Sequence, residues 1–171
     1  IVYFANPNNP TGELLSIKLI KEMLTLNNET LFIIDEAYIE FGGESTVPLV
    51  RDFKNILVCR TLSKAFCLAG IRFGYCVAHS EIVNALNAIR NPKSVTMLSQ
   101  IIAEKAFLEN SYMLKNVEST NKAKVILRKF LEKKIPDIEI RGENGNFLLL
   151  IFKNENFLNS FISNLEEKGI F

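Results

Sequence analysis

Short continuous apolar runs alternate along this chain with stretches whose apolar residues recur every three or four positions. Ile1-Val2-Tyr3-Phe4-Ala5, Leu31-Phe32-Ile33-Ile34, Asn55-Ile56-Leu57-Val58-Cys59-Arg60 and Gly74-Tyr75-Cys76-Val77-Ala78 read as strands. Unbroken runs of this length are the habit of strands buried on both faces of a parallel sheet. Between them, Leu19, Ile20, Met23 and Leu24 predict a helix from about Ser16 to Asn27, closed by Asn27 and Asn28. Ile82, Val83, Leu86 and Ile89 predict another, ended by Asn91-Pro92. Met97, Leu98, Ile101, Ile102, Lys105 and Leu108 mark a third. Val117, Thr120, Lys124, Leu127 and Leu131, with Ile126 and Phe130, mark a longer one from about Tyr112 to Lys134. These stripes read as core packing rather than as a partner-binding face. Beyond Pro136, Ile138-Glu139-Ile140 and Phe147-Leu148-Leu149-Leu150-Ile151-Phe152 read as strands, and 157–168 as a last helix. The pattern contains no internal repeat, and a domain boundary falls near the start of the long helix.

Composition narrows the class. The 171 residues suffice for one full domain, or for one domain and part of a second. With 48% hydrophobic and 23% charged residues, the chain fits a soluble globular protein. A formal charge of +1 gives no electrostatic case for nucleic acid. No apolar run approaches the roughly 20 residues that cross a bilayer. The three cysteines lie on or beside apolar runs, and the expectation is reduced, buried thiols in a cytoplasmic protein. The single histidine, His79, has no partner for metal or triad chemistry. The chain opens on a strand without an initiator methionine and closes as a new apolar run begins, so it is expected to be the middle of a longer protein. A parallel sheet cut in this way leaves open edges, and residues 1–171 alone are expected to aggregate or bind cofactor poorly.

Chemistry gathers where the strands end. Thr61-Leu62-Ser63-Lys64 follows the strand at 55–60, placing two hydroxyls and a lysine where open α/β sheets bind ligands. A lysine there can form a Schiff base with a carbonyl cofactor. Arg72, past a small-residue stretch, adds a guanidinium fork that matches phosphate oxygens. In Asn6-Pro7-Asn8-Asn9-Pro10-Thr11-Gly12 the prolines push Asn6 and Asn9 towards extended geometry, which aims the Asn9 amide at a ligand oxygen. Asp35, at the end of the strand at 31–34, needs a cationic partner if buried, and a protonated heterocyclic nitrogen would serve. Tyr38 can reach the same ligand. Taken singly, each motif has an ordinary structural reading: a solvated loop lysine, a two-proline loop, a salt-bridged aspartate beside a packed tyrosine.

Together, NPNNPTG at 6–12, DEAYIEF at 35–41 and TLSKAF-LAGIR-GY across 61–75 resemble the fold-type I aminotransferases that use pyridoxal phosphate. The likeness is nearest to the histidinol-phosphate aminotransferases and loosens after about residue 112. It implies an α/β fold, with a mostly parallel sheet flanked by helices over 1–112, the C-terminal part of a cofactor-binding large domain. Residues 113–171 would be the connecting helix and the start of a smaller α/β domain. It implies that Lys64 carries the cofactor and moves the substrate proton, and that Asp35 pairs with the pyridinium nitrogen. Asn9 and Tyr38 would bond the phenolic oxygen, and Thr61, Ser63 and Arg72 the phosphate. The implied activity is amino transfer in amino-acid biosynthesis, between a small, phosphorylated amine and 2-oxoglutarate, by a cytoplasmic homodimer with neither nucleic-acid nor membrane partner.

Some features depart from the family pattern. Cys67 stands where the family usually has glycine, and Asn91-Pro92-Lys93-Ser94-Val95-Thr96 matches the substrate-lining segment only loosely. Arg90 and Lys93 are the nearby cations for a substrate phosphate, although a solvated helix end is the ordinary reading of both. The family's earlier phosphate-binding turn and stacking aromatic, and its later carboxylate-binding arginine, lie outside these residues. A threonine-phosphate decarboxylase shares nearly all these motifs. An aminotransferase-like effector domain of a transcription regulator shares them too, and would carry a helix-turn-helix upstream.

Overall fold

The computed structural model describes residues 1–170. Four strands form the main sheet in spatial order: β1 (Val2–Ala5), β2 (Phe32–Asp35), β3 (Ile56–Thr61) and β4 (Gly74–Ala78). The first three are parallel and β4 is antiparallel to β3, so the sheet is mostly parallel, as the apolar runs predict. Alternation along each strand gives the sheet two chemically different faces. Phe4, Phe32, Ile34, Ile56 and Val58 point to one, where they pack with Ile20 and Leu24 of helix α1 (Ile17–Leu26) and with Leu49 of the short turn Val47–Arg51. Each fully buried aliphatic side chain here stabilises the fold by roughly 1.5–3 kcal/mol. Ala5, Asp35, Cys59 and Cys76 are register partners on the opposite face.

Helix α1 begins where Ser16 caps it, its hydroxyl accepting from the Leu19 amide at 3.2 Å. Its exit is tied to β3 by Asn55, whose side-chain amide donates to the carbonyls of Leu24, Asn27 and Thr30 at 3.1, 3.2 and 3.2 Å. After β4 come α2 (Ser80–Ile89), α3 (Met97–Leu108) and the long α4 (Ser111–Lys134). A hairpin of β5 (Glu139–Arg141) and β6 (Leu149–Ile151) and helix α5 (Glu155–Glu166) follow. β6 is shorter than the apolar run at 147–152 suggests, and β5 keeps the expected three residues one position later; Gly142 and Gly145, both at positive φ, turn the chain between them. The same turn meets the Asn6–Gly12 loop: Asn144 donates to the Gly12 carbonyl at 2.9 Å. Gly12 itself has φ +72, and a Cβ there would sit 2.6 Å from the Gly142 backbone, so only glycine fits.

Two expectations are corrected. The apolar stripes of the later helices are not core within this chain. Among the described residues α2 buries none, α3 buries only Ser99 and Ala103, and α4 only Leu131. Met97 is 76% exposed and Ile126 70%, with no cover over those side chains among the described residues. The thiols are not all buried either: Cys67 and Cys76 are exposed and Cys59 is half-buried. At Cys67, where a glycine is usual, the backbone stands at φ 56, a left-handed conformation that costs a residue with a Cβ of order 1–2 kcal/mol.

An ionic network ties β2 to β3 at their carboxyl ends. Glu36 is fully buried and accepts from Ser45 Oγ at 2.8 Å, and from the Thr46 amide and hydroxyl at 2.5 and 2.6 Å. Arg60 Nε lies 2.9 Å from Glu36 Oε2 as an ionic contact, though its N–H misses the oxygen and finds no hydrogen-bond partner. The other end of the guanidinium donates from Nη1 to Glu40 Oε1 at 2.7 Å and from Nη2 to Ser45 Oγ at 3.0 Å. Burial pushes the Glu40 carboxyl above its ordinary range, against the pull of Arg60. Removing the cation leaves a buried carboxylate uncompensated, so Arg60→Met should destabilise the protein by about 3–5 kcal/mol in urea denaturation. A loss below about 1 kcal/mol, the range of an exposed pair, would show that the network does not hold the strands.

Candidate active site

The carboxyl ends of β1, β2 and β3 open into a cavity of about 620 Å³. Asn9, Asp35, Tyr38 and Lys64 line it together, from the loop after β1, the end of β2, the turn after it and the loop after β3. Asp35 Oδ1 accepts from the Ala37 amide at 3.0 Å, which fixes the carboxylate's direction. Tyr38 OH accepts from Asn9 Nδ2 at 3.2 Å, so those two side chains converge on one point. Both Asn6-Pro7 and Asn9-Pro10 are cis in the loop that presents Asn9. Lys64 Nζ stands 5.2 Å from the Tyr38 ring centroid, within reach of a cation–π attraction. Phe147 meets the same ring edge-on at 5.1 Å between centroids, so the β5–β6 connection braces Tyr38.

Three of the seven residues singled out in the sequence are placed beside the cavity without lining it. Thr61 Oγ1 accepts from the Ser63 amide at 3.1 Å and donates to the Phe73 carbonyl at 3.4 Å. These bonds shape the turn that starts the Lys64 loop. Arg72 has φ 53 and donates from Nη1 to the Ala69 carbonyl at 3.1 Å, folding the guanidinium over its own loop. No hydrogen bond joins Arg72 to Thr61 or Ser63 among the described residues.

The ordinary structural reading of Asp35, a salt bridge within the chain, is not what the structure shows. Among the described residues no ion pair reaches it. The arginine goes to Glu36, the next residue, which points to the other side of the strand end. Asp35 is instead met by Tyr3, whose hydroxyl donates to Oδ2 at 2.8 Å. That hydrogen bond, then burial and the carboxylate charge, push the Tyr3 phenol above its usual range. Tyr3 was not legible as a site residue because a tyrosine within an apolar run reads as core. The usable signal was register, since Ala5 pairs with Asp35 and Tyr3 lies on the same face.

A second cavity, of about 870 Å³, lies between β4, α2 and α3. Arg90 lines that one, and neither Lys64 nor Asp35 does. Its lining mixes apolar residues with Asn87, Gln100 and Glu104, and it contains no lysine.

The sequence model of the family described as "Aminotransferase class I and II" matches residues 1–171. A dihydroxyacetone phosphate transaminase of Campylobacter jejuni is 41% identical over 100% of this chain and 46% of its own length. A histidinol-phosphate aminotransferase of Thermoanaerobacter pseudethanolicus is 38% identical over 99% of this chain and 47% of its own. The chain thus spans about half the length of the curated relatives it matches. Its fold is that of a Sinorhizobium meliloti histidinol-phosphate aminotransferase solved with pyridoxal-5'-phosphate: TM-score 0.88 over 99% of this chain and 47% of that one, at 24% identity. Matched from end to end, with a lysine, a carboxylate and an asparagine–tyrosine pair gathered at the strand ends, this chain belongs to the class I and II aminotransferases.

Proposed function

We propose that this chain is the cofactor-binding part of an aminotransferase that uses pyridoxal phosphate and acts on a small phosphorylated substrate. The observation that carries this reading is the convergence of Lys64, Asp35, Asn9 and Tyr38 on one cavity. The donor set fits the cofactor. Among the described residues Asp35 accepts from an amide and a phenol and forms no ion pair, which leaves it suited to a protonated ring nitrogen. When bound, pyridoxal phosphate supplies a protonated ring that accepts the electron pair left when a substrate loses its α-proton.

The chain's own groups do the rest. Lys64 would tether the cofactor, and its freed amine would take the substrate's α-proton and hold it for return. Asp35 would hold the ring nitrogen's proton in place. Asn9 and Tyr38, already paired, would present one amide and one hydroxyl to the phenolic oxygen. Thr61 and Ser63 would offer hydroxyls to the phosphate, and Arg72 its guanidinium. Residues 1–112 would then belong to the large domain, with 113–171 leading into a smaller one, in a cytoplasmic homodimer. No helix among the described residues is long and apolar enough to cross a membrane.

The substrate class rests on relatives. The names of the two quoted above specify dihydroxyacetone phosphate and histidinol phosphate, which share a phosphate monoester on a small carbon skeleton. With the greater identity on the first side, a phosphorylated ketone as amino acceptor is a second reading, beside a phosphorylated amine with 2-oxoglutarate.

Reduction of the cofactor-loaded protein with borohydride, followed by peptide mapping, should place the label on Lys64. Label on another lysine, or none, would remove the catalytic assignment. The substrate class is checked by comparing histidinol phosphate, histidinol, aspartate and an aromatic amino acid as donors, and dihydroxyacetone phosphate against dihydroxyacetone as acceptors. A phosphorylated member should lead its partner in kcat/KM by at least about tenfold, which is about 1.4 kcal/mol of transition-state binding. Equal values within both pairs would refute the phosphate while leaving the cofactor chemistry intact.

A further inference from the structure

The sheet face that carries Asp35 also carries two thiols that the proposed chemistry does not use. In the antiparallel register of β3 and β4, Cys59 stands directly opposite Cys76. The type of pairing follows from the hydrogen bonds around it. The Cys59 carbonyl accepts from the Glu36 amide at 2.9 Å, so it points towards β2 and away from β4. Further along, the Leu62 amide donates to the Phe73 carbonyl at 3.2 Å, making those two a hydrogen-bonded pair. Bonded and non-bonded pairs alternate in an antiparallel ladder, so counting back from Leu62 makes Cys59 and Cys76 a non-bonded pair. Residues in such a pair have Cα atoms about 4.5 Å apart and their side chains closest. Disulfides take Cα separations of roughly 4.4–6.8 Å, so the backbone already lies within the range for a bond.

We propose that Cys59 and Cys76 form a redox dithiol that closes to a cross-strand disulfide when a low-molecular-weight disulfide, such as oxidised glutathione, reaches Cys76. Both are free thiols, and Cys76 is the exposed one. Cys59 is half-buried, and burial, the Asp35 charge and Cys76 push its thiol up to about 11, which makes it the slower partner. Accordingly the Cys76 thiolate attacks the glutathione disulfide, forming a mixed disulfide and expelling one glutathione thiolate. Cys59 then gives up its proton, its sulfur attacks Cys76 Sγ, and the second glutathione leaves as its thiol. Two protein thiols are oxidised by two electrons and the reagent disulfide is reduced to two thiols. The new bond fixes the β3–β4 ladder one strand from Asp35. In a reducing compartment it would be transient. The third thiol, Cys67, is exposed, and its side-chain contact is the Asn116 amide at 3.4 Å rather than another sulfur, so it serves as an internal control.

The purified, cofactor-loaded protein is treated with oxidised glutathione, digested at low pH without reductant and mapped by mass spectrometry. A linked Cys59–Cys76 peptide pair is expected, lighter by two hydrogens than its separate halves and restored by dithiothreitol. Cys67 should carry at most glutathione. Cys59→Ser should trap glutathione on Cys76, and Cys76→Ser should abolish the linked pair without trapping any on Cys59. Glutathione trapped on Cys76 of the unaltered protein, a link that includes Cys67, or Cys59 and Cys76 both unmodified would each overturn the proposal. The mapping of the unaltered protein decides the matter even if a variant folds poorly.

Discussion

A buried carboxylate that cannot stay unpaired sets the geometry of the strand ends. Glu36 has no exposed surface, and it is held by Arg60 and the Ser45–Thr46 turn, with Glu40 on the far side of the guanidinium. Burying a lone carboxylate would cost several kcal/mol, so these groups assemble together or not at all. The result is a fixed junction between the end of β2 and the end of β3. Asp35 precedes Glu36 directly, and Lys64 follows Arg60 by one turn of loop. The network thus positions the site without entering its cavity.

The two sheet faces divide the remaining work. One is apolar and packed by α1, burying seven apolar side chains in one cluster. The other presents Asp35 with a phenol and two thiols as neighbours, where polar chemistry is tolerated because the face is not closed over within this chain. The loop after Lys64 carries backbone cost at Cys67 and Arg72, both at positive φ. Non-glycine residues in that region need surrounding structure to hold them, and they cluster where a loop must wrap closely around a ligand. The Gly12–Gly142 approach plays a related part: it brings the β5–β6 turn against the Asn9 loop and lets Phe147 reach Tyr38.

Much of this was legible in the residues. Strand runs and helix periods predict β1 to β4 and α1 to α5 within a few residues, because burial and periodicity are local properties. Asn9, Asp35, Tyr38 and Lys64 could be picked out because polar groups just past apolar runs stand at the carboxyl edge of a parallel sheet. What failed was whatever depends on pairing in space. Two adjacent acids, Asp35 and Glu36, compete for one arginine, and only the fold shows that Arg60 goes to Glu36. The stripes on α3 and α4 report amphipathic faces correctly but do not say what covers them. Tyr3 reads as core until the register with β2 is known. The Cys59–Cys76 pairing likewise depends on the register of two strands separated by a loop.

The central proposal is that the Asp35 charge, which forms no ion pair among the described residues, would serve a protonated ring nitrogen. Asp35→Asn keeps the side chain's size and an oxygen to accept from the Ala37 amide, turns the position facing Tyr3 into an NH2 that donates to the phenol oxygen, and removes the charge. The decisive measurement is the rate of the amino-donor half-reaction in cofactor-loaded protein, with folding checked by thermal melting. The account predicts an unchanged fold and a rate lower by several orders of magnitude. A folded, loaded variant within about tenfold of the unaltered protein, a difference of about 1.4 kcal/mol, would contradict it.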